Sequence, residues 1–89
     1  MTHSADTADF VRQLARRVRI HRLVQGRTQQ ELADLSGLSR SFISLFEKGE
    51  HGIDIRALLR IAHALDLPLA ELLGGTSGGL PRDRAEGDR

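Results

Sequence analysis

The sequence predicts an all-α domain, and two observations carry that prediction. Alternating apolar–polar runs and Asn-Gly hairpin turns are absent, so strand signals are missing. Apolar residues instead recur at helical spacing in five blocks, most of them bounded by a capping residue or a glycine. The blocks fill residues 9–74, with a disordered N-terminus expected over 1–8 and a disordered tail over 75–89.

The first block runs from Asp9 to Gln25, where Phe10, Leu14 and Val18 form one stripe and Gly26 follows as a C-terminal cap. The second starts at Thr28. Thr28-Gln29-Gln30-Glu31 reads as a capping box, in which the threonine oxygen accepts from a helical amide and the glutamate reaches back. Leu32, Ala33 and Leu35 are its expected buried face, and Gly37 ends it. The third block opens at Ser39, an N-cap residue, and turns Phe42, Ile43 and Phe46 inward before Gly49. The fourth opens at Asp54 and spaces Ile55, Leu58, Ile61, Ala62 and Leu65 helically. The fifth is short: Pro68 suits a first helical position, Leu69, Leu72 and Leu73 are apolar, and Gly74 stops it. Beyond it, only Leu80 and Ala85 are apolar, too little to offset the entropy of ordering that stretch.

Composition narrows the function. The 89 residues leave room for one small domain. No run reaches the roughly 18 apolar residues of a membrane span, and no secretory pattern opens the chain, so a cytoplasmic protein is expected. The absence of cysteine removes disulfides and thiolate chemistry. The four histidines, His3, His21, His51 and His63, do not pair at metal-ligand spacing, so no metal or other cofactor is expected. Neither a phosphate-binding loop nor a nucleophile elbow is present, which leaves an enzyme without positive support. Net charge is only +1, but Phe10 to Leu73 holds ten basic residues against seven acids. Of thirteen basic residues in the chain, all but Lys48 are arginine, the side chain suited to bidentate recognition of phosphate and guanine.

The informative stretch is Thr28 to Gly49. Two short helices joined by Leu35-Ser36-Gly37-Leu38-Ser39 make a helix-turn-helix unit. Gly37 fits because the turn needs a positive φ, and small Ala33 lets the helices approach closely. With Phe42, Ile43 and Phe46 facing inward, Arg40, Ser41 and Ser44 are left to face out.

These residues resemble the lambda-repressor-like, or Xre/Cro-like, helix-turn-helix regulators. The resemblance rests on Arg22, Gly26, Thr28 to Ala33, Ser36 to Ser39, Ile43-Ser44, Glu47-Lys48-Gly49 and Leu58 to Leu65. It implies five helices, with the third in the major groove of double-stranded DNA. It implies base reading by Arg40, Ser41, Ser44 and Leu45, and phosphate contact by Thr28, Gln29 and Lys48. It also implies a structural pair between Arg22 and Glu47. The chain departs from the pattern at Arg27 and His21, where relatives often carry apolar residues, and at Leu45, where many carry a polar reader.

One reader helix offers too few base contacts to single out a site in a genome, so a homodimer on a palindromic operator is expected. Leu67, Leu69, Leu72 and Leu73 are its expected interface, and Leu72→Asp is then expected to give a folded monomer. Three other readings stand beside this one. The chain could be the controller of a restriction–modification operon, an antitoxin whose tail binds a toxin, or a protein-interaction module that keeps the fold without reading DNA. A toxin or a sensor is accordingly a further candidate partner.

Overall fold

A computed structural model describes residues 3–74, with side chains from Asp6 onward. Five helices follow in order: α1 (His3–Val24), α2 (Gln29–Ser36), α3 (Arg40–Glu47), α4 (Ile55–Ala64) and α5 (Leu69–Leu72). No strand occurs among the described residues. The tail expected to be disordered lies outside them.

Helix α1 begins at His3, not at Asp9. Alanines at 5 and 8 favour helix, and Asp6 in the first turn meets the positive end of the helix dipole. Its buried face is Leu14, Ala15, Val18 and Arg22, with Val11 packed against the core. Phe10, expected in the stripe, is 46% exposed. It lies one residue, roughly 100°, round the helix from Val11, and so off the buried face.

The start of α2 is the capping box the sequence describes. Thr28 Oγ1 accepts from the Glu31 amide at 3.0 Å, and the Thr28 amide donates to Glu31 Oε1 at 2.8 Å. Leu32 and Ala33 are buried, but the third buried member is Ser36 and not Leu35, which is half exposed. Ser36 can be buried because its hydroxyl donates to the Leu32 carbonyl at 2.7 Å. Gly37 then turns the chain at φ 72°, in the left-handed region.

Helix α3 opens at Ser39, whose Oγ accepts from the Phe42 amide at 3.0 Å. Ile43 and Phe46 are fully buried. Phe42 is half-buried, its ring 6.4 Å from that of Phe46 and 4.8 Å from that of His51. Asp54 caps α4 in the same way, accepting from the Ala57 amide at 2.8 Å. Leu58, Ile61, Ala62 and Leu65 carry its core face, whereas Ile55, in the first turn, is exposed and outside the core cluster. Gln25 ties α1 to the end of α4 by donating to the Leu65 carbonyl at 2.7 Å.

Pro68 is the cap of α5, one position earlier than expected. The larger correction concerns the four leucines assigned to a dimer. Leu72 is fully buried in the chain's own core, Leu67 and Leu69 pack partly against that core, and only Leu73 is well exposed. Burial of a leucine of this kind contributes roughly 1.5–3 kcal/mol, so α5 closes the monomer first. A carboxylate at 72 has nowhere to be hydrated, so Leu72→Asp is expected to unfold the chain and not to give a folded monomer.

Candidate nucleic-acid interface

Two helix ends and one helix face form the site. At the first end, α1 finishes beside the start of α2 and the end of α3, and Arg22 joins all three. Its Nε donates to Glu47 Oε2 at 2.8 Å and its Nη2 to Glu47 Oε1 at 2.9 Å, a two-pronged grip on one carboxylate. Its Nη1 donates to the Arg27 carbonyl at 2.8 Å, which fixes the α1–α2 connection. The two side chains are only 8% and 2% exposed. The hydrogen bonds that Arg22 donates to Glu47 raise the Arg22 pKa above its ordinary value, against the lowering pull of burial, and the carboxylate's charge raises it further. The expected structural pair is therefore present and buried.

A third side chain enters the same cluster. Gln29, the first residue of α2, donates from Nε2 to Glu47 Oε1 at 3.1 Å. The sequence reading assigns Gln29 to phosphate and gives no hint of this bond. The two residues lie on different helices across the turn, and no spacing rule connects them.

The other end of α3 is different. Arg40 and Ser41 are exposed, Ser44 is half-buried and Leu45 is 38% exposed. Among the described residues Arg40 makes no ion pair and no side-chain hydrogen bond. All its donors are open to a ligand. Lys48 stands exposed at the cap of α3, past Glu47, and Thr28 is exposed at the start of α2. Arg40 and Glu47 are the first and last residues of an eight-residue helix, about 10 Å apart along its axis. The structure thus gathers Arg22, Gln29 and Glu47 at one end of α3, with Thr28 and Lys48 beside them, and leaves Arg40 and Ser41 at the other.

The departures from the family pattern also find places. His21 and Arg27 are half-buried. Arg27 Nε reaches Gln25 Oε1 at 3.3 Å. Exposed Leu35 and Leu59 line an open groove between α2 and α4 that contains none of the predicted DNA contacts. No group of residues suited to hold a metal ion occurs among the described residues, and no described helix is long and apolar enough to cross a membrane.

A capped second helix, a left-handed glycine turn, and a third helix packed from behind with polar residues in front define a DNA-binding transcriptional regulator of the helix-turn-helix class. Known proteins agree. The helix-turn-helix family model matches residues 18–72. Control protein C.SmaI of Serratia marcescens is 35% identical over 60 residues, covering 67% of this chain and 71% of that one. The solved restriction-modification controller protein C.AhdI of Aeromonas hydrophila superposes with TM-score 0.69 at 38% identity, over 73% of this chain and 97% of that one. The clp gene regulator ClgR of C. glutamicum superposes with TM-score 0.70 at 28% identity, over 80% and 92%. This chain belongs to the helix-turn-helix family, and its fold is the lambda-repressor-like one.

Proposed function

We propose that the protein regulates transcription by binding a palindromic operator as a homodimer, with α3 of each copy in the major groove. One observation carries the reading: Arg40 and Ser41 stand exposed and unengaged at the N-terminal end of a helix whose other face is locked into the core. A helix held from behind presents its front residues to a rigid surface at little further entropic cost. Arg40 reads a guanine, and Ser41, Ser44 and Leu45 complete the contact with base edges. Thr28 and Gln29 at the positive end of α2, and Lys48 beyond α3, hold the backbone phosphates.

The dimer contact rests on Leu73 and the exposed parts of Leu67 and Leu69. Leu72 supports those residues from inside and does not itself meet the second copy. The controller relatives favour one subtype, a controller of a restriction–modification operon, over an antitoxin.

Selection of sites from a random duplex library at two salt concentrations, for wild type beside Arg40→Ala, tests the reading. An inverted repeat is expected, with half-sites about one DNA turn apart and one base per half-site that relaxes in the variant. Weak binding without a motif at either salt sinks it. Mapping the sites across the genome then tests the subtype: sites upstream of a restriction–modification gene pair support a controller, and sites elsewhere reject it.

A further inference from the structure

The Glu47 carboxylate receives three donors: Arg22 Nε on Oε2, and Arg22 Nη2 together with Gln29 Nε2 on Oε1. Arg22 accounts for the charge balance, so the bond to Gln29 is not needed to neutralise Glu47. Its consequence falls on Gln29. A primary amide has two ends of nearly equal shape, one that only accepts and one that only donates. In front of a carboxylate the choice is forced, because the carbonyl end would place oxygen against oxygen. The NH2 end must face Glu47, and it has two N–H groups, one of which remains free.

We propose that Glu47 is a positioning residue for recognition of the DNA backbone: it sets the orientation of the Gln29 amide so that the second N–H is held ready to donate to a phosphate at the start of α2. This rests on the backbone role proposed above for Gln29 and adds what makes that role possible. An unrestrained glutamine can turn its carbonyl toward a phosphate as easily as its amide, and one of those orientations is repulsive. Glu47 removes it before DNA arrives. The carboxylate is itself held at both oxygens by Arg22, whose third donor pins the Arg27 carbonyl just before α2. The phosphate grip at α2 and the end of the reader helix α3 therefore move as one body. A contact to the backbone then fixes the register of α3 in the groove.

The first test uses the wild-type protein free of DNA. Relaxation of the ¹⁵N-labelled Gln29 side-chain amide is expected to report an order parameter near the rigid-backbone value of about 0.85, and a value under about 0.6 overturns the proposal. The second test is a double-mutant cycle on a duplex carrying the selected site. Gln29→Met keeps the length of the side chain and loses the amide. It is expected to bind about tenfold more weakly and to lose its sensitivity to one neutral methylphosphonate placed at the contacted phosphate. Glu47→Gln presents an amide that can turn either end toward Gln29, so it releases the orientation. It is expected to weaken binding several-fold alone and to add nothing in the Gln29→Met background. Equal losses in both backgrounds mark a merely structural role and overturn the proposal. Thermal melts of all four proteins separate loss of fold from loss of grip, and the relaxation result stands even if Glu47→Gln folds poorly. If wild type binds no duplex, the regulator reading fails together with this one; if it binds with additive losses, only this one fails.

Discussion

At the end of α1, Arg22 is 8% exposed and all its hydrogen bonds are made inside the chain, two to Glu47 and one to the Arg27 carbonyl. At the start of α3, Arg40 is exposed and makes none among the described residues. The two side chains have the same five donors and the same permanent charge. What separates them is what faces them. Arg22 meets the Glu47 carboxylate, which has no other opposite charge beside it, and the Arg27 carbonyl, so it ties the end of α1 to α3 and to the start of α2. Among the described residues Arg40 meets no acceptor, so its donors are open to one such as a guanine edge. The contrast shows that the same side chain serves two ends in one chain: a buried arginine is committed to the fold, and an exposed one at the front of α3 is left free for a ligand.

The largest effects come from breaking the inner side of this contrast. Leu72→Asp removes a fully buried leucine and puts a charge in its place. The expected loss is at least the 2–5 kcal/mol of a Leu→Ala change, comparable to the whole stability of a small domain. Circular dichroism should show a chain largely unfolded at room temperature, and a folded monomer would contradict the core placement of α5. Arg22→Leu leaves the buried Glu47 carboxylate without an opposite charge, with Gln29 its remaining donor, at an expected cost of about 3–5 kcal/mol. Its melting temperature should fall by at least about 12 °C. A fall of only a few degrees would show that the pair is an ornament of the surface.

The outer side of the contrast yields a smaller effect of another kind. Arg40→Ala should melt within a degree or two of wild type, because Arg40 holds no hydrogen bond or ion pair among the described residues. Its affinity for the selected site should fall by about 1–3 kcal/mol, and mostly for the base it reads. Binding to unrelated duplex should change little. A variant that loses affinity equally for all sequences would move Arg40 from base edge to phosphate.

What the sequence makes legible here is what chain-local physics decides. Thr28 and Glu31 are three residues apart, so the capping box is written in the spacing, and it forms with both hydrogen bonds. Gly37 and the N-caps Ser39 and Asp54 are local in the same sense. The Arg22–Glu47 pair spans 25 residues and became readable only through the resemblance to known regulators. Gln29 to Glu47 spans 18 with no such guide, and it stayed hidden. The misplaced apolar residues share one cause. Phe10, Leu35 and Ile55 sit at the margin of a helical stripe, where periodicity alone does not say whether another helix covers them. Leu72 fails in the opposite direction: a four-residue helix looked too short to hide its leucines, yet packing against α1 and α4 hides its last one completely. In each case the missing information is the path of a neighbouring helix.

The smallest expected effect is an absence, and it tests the assignment of charge in the cluster. The Arg22 pKa is raised by Glu47, and a group raised on folding gives stability that is fully present below its unfolded pKa and fades only as pH climbs through the folded value. Both values lie far above the physiological range. The stability supplied by the Arg22 charge should therefore be constant across roughly pH 6 to 9, a window in which histidines can titrate and arginine cannot. Arg22→Lys keeps the charge and gives up the two-pronged geometry, so it should fold with reduced stability. Urea melts of wild type and Arg22→Lys across that window should run parallel. A gap that narrows or widens with pH would show that the clamp's contribution does not come from the permanent Arg22 charge and its two-pronged geometry alone.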